Sequence, residues 1–291
     1  MDVLCDLFGK TRQAYYKSKK SAYKNVVMDD LVLTMVKHIR ERQKRLGCRK
    51  MYSIIMPVVP EAGKMGRDAF FDLLRSHGLL VRKRRTRVIT TNSYHWLRKY
   101  PNLIRETVPT RPNQVWVSDI TYIKTAEGFV YLFLITDAYS RKIIGWQLSD
   151  NMESINALIA LKMANRQRLP GTETIHHSDR GIQYCCAKYV KYLNKANIGI
   201  SMTENGDPYE NAIAERVNGI LKTEWLYDTE LKNYNEALNT IKQIIYTYNN
   251  ERPHLSIGML TPNEAHLASG EHKKLWKSYH NKKRKEDPIE I

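Results

Sequence analysis

Over the first 90 residues the apolar positions recur at helical intervals. Val3, Leu4, Leu7 and Phe8 form one stripe, Gly9 can turn the chain, and Thr11 can cap a second helix. That second helix would present Arg12, Gln13 and Lys17, with Tyr15 and Tyr16 partly packed. The pattern suits a helix-turn-helix, whose second helix can enter a major groove, although short helical hairpins are common. Over "DDLVLTMVKHIRERQKRLG" the period is clearer: Leu31, Met35 and Ile39 recur every four residues, acids stand at the front, and Gly47 ends the helix. "CRKMYSIIM" and "GRDAFFDLLRSHG" predict two shorter helices, the second stopped by Gly78. "LLVRKRRTRVITT" then carries Arg82, Lys83, Arg84, Arg85 and Arg87. Three helices followed by an extended basic hairpin or arm suggest a winged-helix-like DNA module; the alternative is a linker that merely stays soluble. Residues 88–113, with Pro101, Pro109 and Pro112, read as a connector.

After Gln114 the pattern changes. "VWVSDITYIKT", "FVYLFLITDAYS" and "KIIGWQLSD" are rich in β-branched and aromatic residues and have short joins, which predicts a three-stranded antiparallel meander. "SINALIALKMANRQ" is a helix, "TETIHHSD" a fourth strand, "AKYVKYLNKAN" a helix, "IGISMT" a fifth strand and "NAIAERVNGILKTEW" a helix. The order β-β-β-α-β-α-β-α predicts an α/β domain with a mixed five-stranded sheet. The expected division is a basic helical region over 1–87, a linker over 88–113, a core with a C-terminal helix over 114–270 and a basic tail over 271–291. No internal repeat is found.

Composition narrows the class. A chain of 291 residues suggests two or three domains, and 42% hydrophobic residues argue against wholesale disorder. The strongest apolar run, "FVYLFLI", is strand length and far short of the ~18 residues of a membrane span. The start lacks the regions of a secretory signal, so the cytosol is expected. Cys5, Cys48, Cys185 and Cys186 make no metal-binding spacing, and packing is the better reading of the adjacent pair. The net charge of +17 is uneven: residues 1–100 hold 23 Lys and Arg against 8 Asp and Glu, and the remainder 24 against 22. A basic front of this kind reads as a nucleic-acid footprint.

Against that background the acids of the second half stand out. Asp119 lies on the first strand, Asp179 at the end of the fourth, and Glu215 on the helix after the fifth. Active sites of α/β sheets collect at strand ends. Asn211, Asn218, Gly219 and Lys222 share the polar or small face of Glu215, while Ile213, Val217, Ile220 and Leu221 can pack on the sheet. Lys222 would then be able to reach a phosphate. Three converging acids repel unless a divalent ion lies between them, and two Mg²⁺ ions suit hard oxygen ligands and an in-line displacement at phosphorus. Other residues have blander readings. Asp137, near the end of the second strand, is a rival catalytic acid, or it holds Arg141 or a turn. Glu204, Asp207 and Glu210 fall in a turn-rich loop. His176 and His177 either touch DNA or orient Asp179, or they pack within the fold. Of the five Trp and 18 Tyr, most belong to the core, with Trp116, Trp146 and Tyr122 in strand patterns.

Taken together, "WVSDITYI", "LITDAYSRKIIGW", "HHSDRGIQY", "SMTENGDPYENAIAERVNGILKTEW" and "YNNERPH" resemble the integrase-type catalytic core of bacterial insertion-sequence transposases. More narrowly, they resemble the second-frame product (OrfB) of the family of insertion sequence three. The 35 residues between Asp179 and Glu215 match that family's DDE spacing. The resemblance covers nearly the whole chain and implies a ribonuclease H-like core. In it Asp119, Asp179 and Glu215 hold two Mg²⁺ or Mn²⁺ ions. Water attacks a phosphodiester at the element end, the freed 3′-hydroxyl attacks DNA, and no covalent enzyme–DNA bond forms. It also implies double-stranded DNA as partner, a first-frame partner protein (OrfA) joined or separate, a homo-oligomer on DNA, and a nucleoid-associated place in the bacterial cytoplasm. The zinc-binding His/Cys domain of retroviral integrases has no counterpart, so no zinc is expected. The reading from a different class is a catalytically inactive DNA-binding regulator derived from such an element.

Overall fold

The computed structural model describes residues 11–82, 97–105, 107–204, 211–273 and 275. The chain divides into two compact units, residues 1–83 and 84–291.

In the first unit, α1 (Arg12–Arg42) is a single 31-residue helix. Thr11 caps it as the sequence suggests, its hydroxyl accepting from the Ala14 amide at 3.1 Å. The expected break before Asp29 does not occur, so the acids expected at a helix front lie inside α1. The reason is local: no glycine or proline falls between Thr11 and Gly47. Gly47 ends no helix either; it N-caps α2 (Cys48–Ile55). α3 (Arg67–Ser76) closes at Gly78, whose φ of +66° suits the left-handed exit. Val32, Val36, Leu46, Met51, Ile55, Phe70 and Leu74 form the core of this unit. The apolar stripe of α1 is thus centred one residue beyond Leu31, Met35 and Ile39, which flank it half-buried. The helix expected over Val3–Phe8 and the arm after Arg82 lie outside the described residues.

The second unit is built on the mixed five-stranded sheet the pattern predicts. β1 (Val115–Thr125), β2 (Gly128–Asp137) and β3 (Ile143–Ser149) form the antiparallel meander. β4 (Thr174–Ser178) and β5 (Ile198–Met202) add in parallel on the far side of β1, giving the order β3-β2-β1-β4-β5. This order and polarity are those of the ribonuclease H-like fold. One face carries α4 (Ser154–Arg166), the short α5 (Ile182–Cys185) and α6 (Ala187–Lys195), packed on Trp116, Phe133, Ile135 and Ile144. α4 comes so close to β3 that a Cβ on Gly145 would lie 2.2 Å from the Ala160 carbonyl oxygen. The other face carries α7 (Ala212–Glu224) and α8 (Tyr234–Asn250), packed on Ile123, Val130, Leu132 and Leu134. α9 (Pro262–Leu267) follows, capped reciprocally by Thr261 and Glu264.

The prolines before β1 do mark a segment without helix or strand, but it is fastened to the sheet. Leu97 and Tyr100 pack on the α4 side, the Leu103 amide donates to Ser201 Oγ at 2.8 Å, and the Asn113 amide donates to Asp137 Oδ2 at 2.6 Å.

Pairing lengths position the site. β1 pairs with β2 along ten residues but with β4 only over Val115–Val117. From Ser118 onward the two parallel neighbours part, and a crevice opens at their carboxyl ends, where ligands of α/β sheets bind.

Candidate active site

Asp119 stands at the mouth of that crevice. Its Oδ1 accepts from the Ile120 amide at 2.8 Å and its Oδ2 from Asn218 Nδ2 at 2.7 Å. Burial, then the negative charge of Asp179, push its carboxyl up to about 7; the Asn218 hydrogen bond works in the opposite direction, and Glu215 adds a further upward push. Asp179 follows β4 and accepts from the Gly181 amide at 2.9 Å. A Cβ at Gly181 would sit 2.9 Å from that same carboxylate oxygen, so glycine there lets the loop wrap the acid. Glu215 lies exposed on the first turns of α7, its carboxyl raised by partial burial. The three acids therefore come from β1, the end of β4 and α7, and sense one another through their charges at Asp119.

The α7 face beside Glu215 is polar, as the spacing predicts. Asn211 and Asn218 are buried, and each donates its amide to β1: Asn211 Nδ2 to the Ser118 carbonyl at 3.0 Å, Asn218 Nδ2 to Asp119. The carbonyl oxygens of both side chains are buried without a hydrogen-bond partner. Lys222 is half-buried, with its ammonium 4.4 Å from the centre of the Tyr122 ring; burial lowers its pKa and the Asp119 charge opposes this. Tyr122 meets Phe129 edge-on at 5.6 Å. Both rings are open to solvent, at 39% and 54% exposure. Tyr122 thus belongs to the surface rather than the core, whereas Trp116 is buried and Trp146 partly so.

Other acids and histidines have structural tasks. Asp137 is fully buried and accepts from the amides of Asn113 and Ser140 and from the Ser140 hydroxyl, so it holds a turn. Glu204 accepts from the Asn102 amide. His176 is buried among Tyr184, Tyr189 and Ser118, at 2.6 Å from Ser118 Oγ and 2.9 Å from the Tyr189 hydroxyl; burial pushes it down to about 3, so it stays neutral. His177 is buried and bonded to Ser201. Cys185 packs in the core, where burial and Asp179 push its thiol up to about 11.

Of the residues expected on DNA, Gln13 and Lys17 are exposed on the first turns of α1, and Arg12 begins that helix. Arg82 is exposed, its carbonyl accepting from Arg45 at 2.5 Å. Lys83, Arg84, Arg85 and Arg87 lie outside the described residues, as do Asp207 and Glu210.

Two pieces of site architecture escape the sequence reading. The Asn218–Asp119 bond joins residues 99 positions apart. Arg252, almost fully buried, grips Glu224 at the end of α7 with two hydrogen bonds of 2.6 and 2.7 Å. Arg252 lies in "YNNERPH", which the resemblance had flagged without a role.

Among the described residues no three His, Cys, Asp or Glu side chains lie close enough to hold one metal ion as they stand. The donor chemistry nonetheless fits a hard divalent cation: three carboxylates with mutually unfavourable charge, and a buried carboxamide oxygen without a partner. No helix of the described residues is long and apolar enough to cross a membrane.

Comparison with known proteins gives the family. Residues 109–208 and 196–262 each match an integrase core domain. The chain is 35% identical over 264 residues to the insertion element IS600 uncharacterized 31 kDa protein of Shigella sonnei, covering 89% of this chain and 96% of that one. It is 33% identical over 258 residues to the transposase for insertion sequence element IS629 of Shigella sonnei, covering 88% and 85%. It is 36% identical over 195 residues to transposase InsF for insertion sequence IS3A of Escherichia coli K12, covering 66% and 67%. Among solved structures it is similar to a simian T-cell lymphotropic virus intasome in complex with PP2A regulatory subunit B56 gamma, at 20% identity over 80% of each chain and a TM-score of 0.49. The chain belongs to the DDE transposases of bacterial insertion sequences, in the family of insertion sequence three.

Proposed function

We propose that Asp119, Asp179 and Glu215 are the three acids of a metal-dependent strand-cleavage and strand-transfer centre. The observation that carries this reading is the convergence of three carboxylates, from β1, the end of β4 and α7, whose charges press on Asp119. Their oxygens would hold two Mg²⁺ or Mn²⁺ ions. Such ions activate an attacking oxygen and stabilise the leaving oxygen of an in-line displacement. Water is the first nucleophile, at the phosphodiester of the element end; the freed 3′-hydroxyl is the second, at target DNA. Each step exchanges one phosphorus–oxygen bond for another, so no side chain becomes bonded to DNA. Asn218 orients Asp119, and Lys222 offers a charge to a phosphate beside Glu215. Arg12, Gln13, Lys17, Arg82, Lys83, Arg84, Arg85 and Arg87 would grip duplex DNA through its backbone. A homo-oligomer on DNA and a first-frame partner, separate or fused, complete the assembly.

The test is nicking of supercoiled plasmid by the purified chain with Mn²⁺. Wild type should nick, chelator should stop it, and Asp179→Asn should lose the activity. Equal nicking by the variant removes Asp179 from the chemistry. A chain that binds DNA but never nicks, even with the first-frame partner and element-end DNA, is the inactive regulator instead.

A further inference from the structure

Asn218 sits one helical turn after Glu215, on the same face of α7. Its Nδ2 donates to Asp119 Oδ2, and that bond fixes which way the carboxamide points: beside an ionised carboxylate, the amino end must face the acid. Its Oδ1 is therefore the other end, and this oxygen is buried with no hydrogen-bond partner. A buried carbonyl oxygen left unmatched is costly, and native structures retain such an atom where a water or ion completes it. The oxygen belongs to a side chain already bonded to one of the three acids. Hard divalent cations take amide carbonyl oxygens, directly or through the waters they retain.

We infer that Asn218 is part of the cation site: its amide group orients Asp119 while its carbonyl oxygen faces the hydrated divalent ion. This rests on the three-acid reading above and adds a fourth oxygen, one without charge. A neutral oxygen suits the position, because a fourth carboxylate would add to the repulsion already gathered at Asp119. Asn211 supplies the internal comparison. From the N-cap of the same helix it makes the same kind of amide bond to β1, and its carbonyl oxygen is likewise buried without a partner, but its bond goes to the Ser118 carbonyl rather than to one of the three acids.

The experiment is Mn²⁺ binding to the full chain without DNA, followed by calorimetry and by the spin-resonance signal of free Mn²⁺. Partners in the outer shell of a metal site change affinity by about 10–100-fold. Asn218→Ala should therefore weaken Mn²⁺ binding roughly tenfold or more, while Asn211→Ala stays close to wild type. Asn218→Asp keeps the side-chain shape and an oxygen at that place but gives up the bond to Asp119, so it should bind Mn²⁺ less well than wild type but more tightly than Asn218→Ala, which keeps the test open even if Asn218→Ala folds poorly. Glu215→Gln should lose affinity whatever Asn218 does. If Asn218→Ala binds normally and Glu215→Gln does not, the inference falls and the three-acid reading stands. If Glu215→Gln also binds normally, the three-acid reading falls. Equal weakening by Asn211→Ala and Asn218→Ala would mean that docking of α7 matters rather than the Asn218 oxygen. Weakening by Asn218→Asp as severe as by Asn218→Ala would also overturn the assignment of that oxygen.

Discussion

Asp119 is a carboxyl whose surroundings favour its neutral form. Its carboxyl titrates at about 7 in the folded chain against an ordinary 3.8, so the folded state holds the proton more tightly than the unfolded one. Stability from this group is therefore full below about pH 4, falls through the interval up to about 7, and is flat above it. The sum is on the order of a few kcal/mol. Asp119→Asn removes the charge and keeps the shape. With chelator present, its melting temperature should exceed that of wild type by a margin that widens between about pH 4 and 7, and added Mg²⁺ should raise wild type more than the variant. Parallel melting curves across that interval would mean that Asp119 is not under charge stress. The elements that carry the three acids were legible, Asp119 on a strand, Asp179 just past the end of another and Glu215 on a patterned helix. The partner of Asp119 was not. Periodicity places Asn218 beside Glu215, but nothing local says which strand residue it meets 99 positions away.

At the scale of elements, α7 is the part that must not move, since it carries Glu215, Asn218 and Lys222 together. Its far end is pinned by the Arg252 fork on Glu224, both side chains being largely buried. Arg252→Met strands Glu224 without its partner and should cost about 3–5 kcal/mol. The double variant with Glu224→Gln should recover a good part of that, and a thermodynamic cycle from urea melts measures it. Independent, additive losses would mean that the pair is not coupled. Within the same helix Gly219 is open on all sides, and a Cβ there would meet nothing. Gly219→Ala should accordingly raise stability by about 0.5–1 kcal/mol, read as a higher urea midpoint with unchanged slope. The strands and helices of the catalytic unit were legible because alternation and helical stripes are sharp there, with turn residues between them. α1 was misread for the opposite reason. Asp29 and Asp30 resemble the front of a helix, yet acids do not by themselves begin one, and no glycine or proline lies between Thr11 and Asp29 to end the helix before them.

Across the whole molecule, charge and chemistry are kept apart. The first 100 residues hold 15 of the 17 net positive charges, as 23 basic against 8 acidic residues, whereas residues 101–291, which hold the three acids, are nearly balanced at 24 against 22. This separation has a physical logic. A dense basic field at the acids would bind phosphate without regard to the cation, and a dense acidic field over the whole chain would repel DNA. Placing general attraction in one stretch of chain and the three acids in another lets each be set alone. It follows that neutralising Arg82, Arg84 and Arg85 together should weaken binding to every DNA sequence alike, lowering the magnitude of the log–log salt slope by up to about 2.7 if all three touch phosphates. The same triple variant should bind Mn²⁺ as wild type does, because those side chains would serve affinity for DNA and not the acids' affinity for the ion. A salt slope unchanged in the triple variant would take the three arginines off the interface. A loss confined to one DNA sequence would make them readers of bases rather than of the backbone, and the separation between the basic stretch and the acids would then have to be drawn elsewhere.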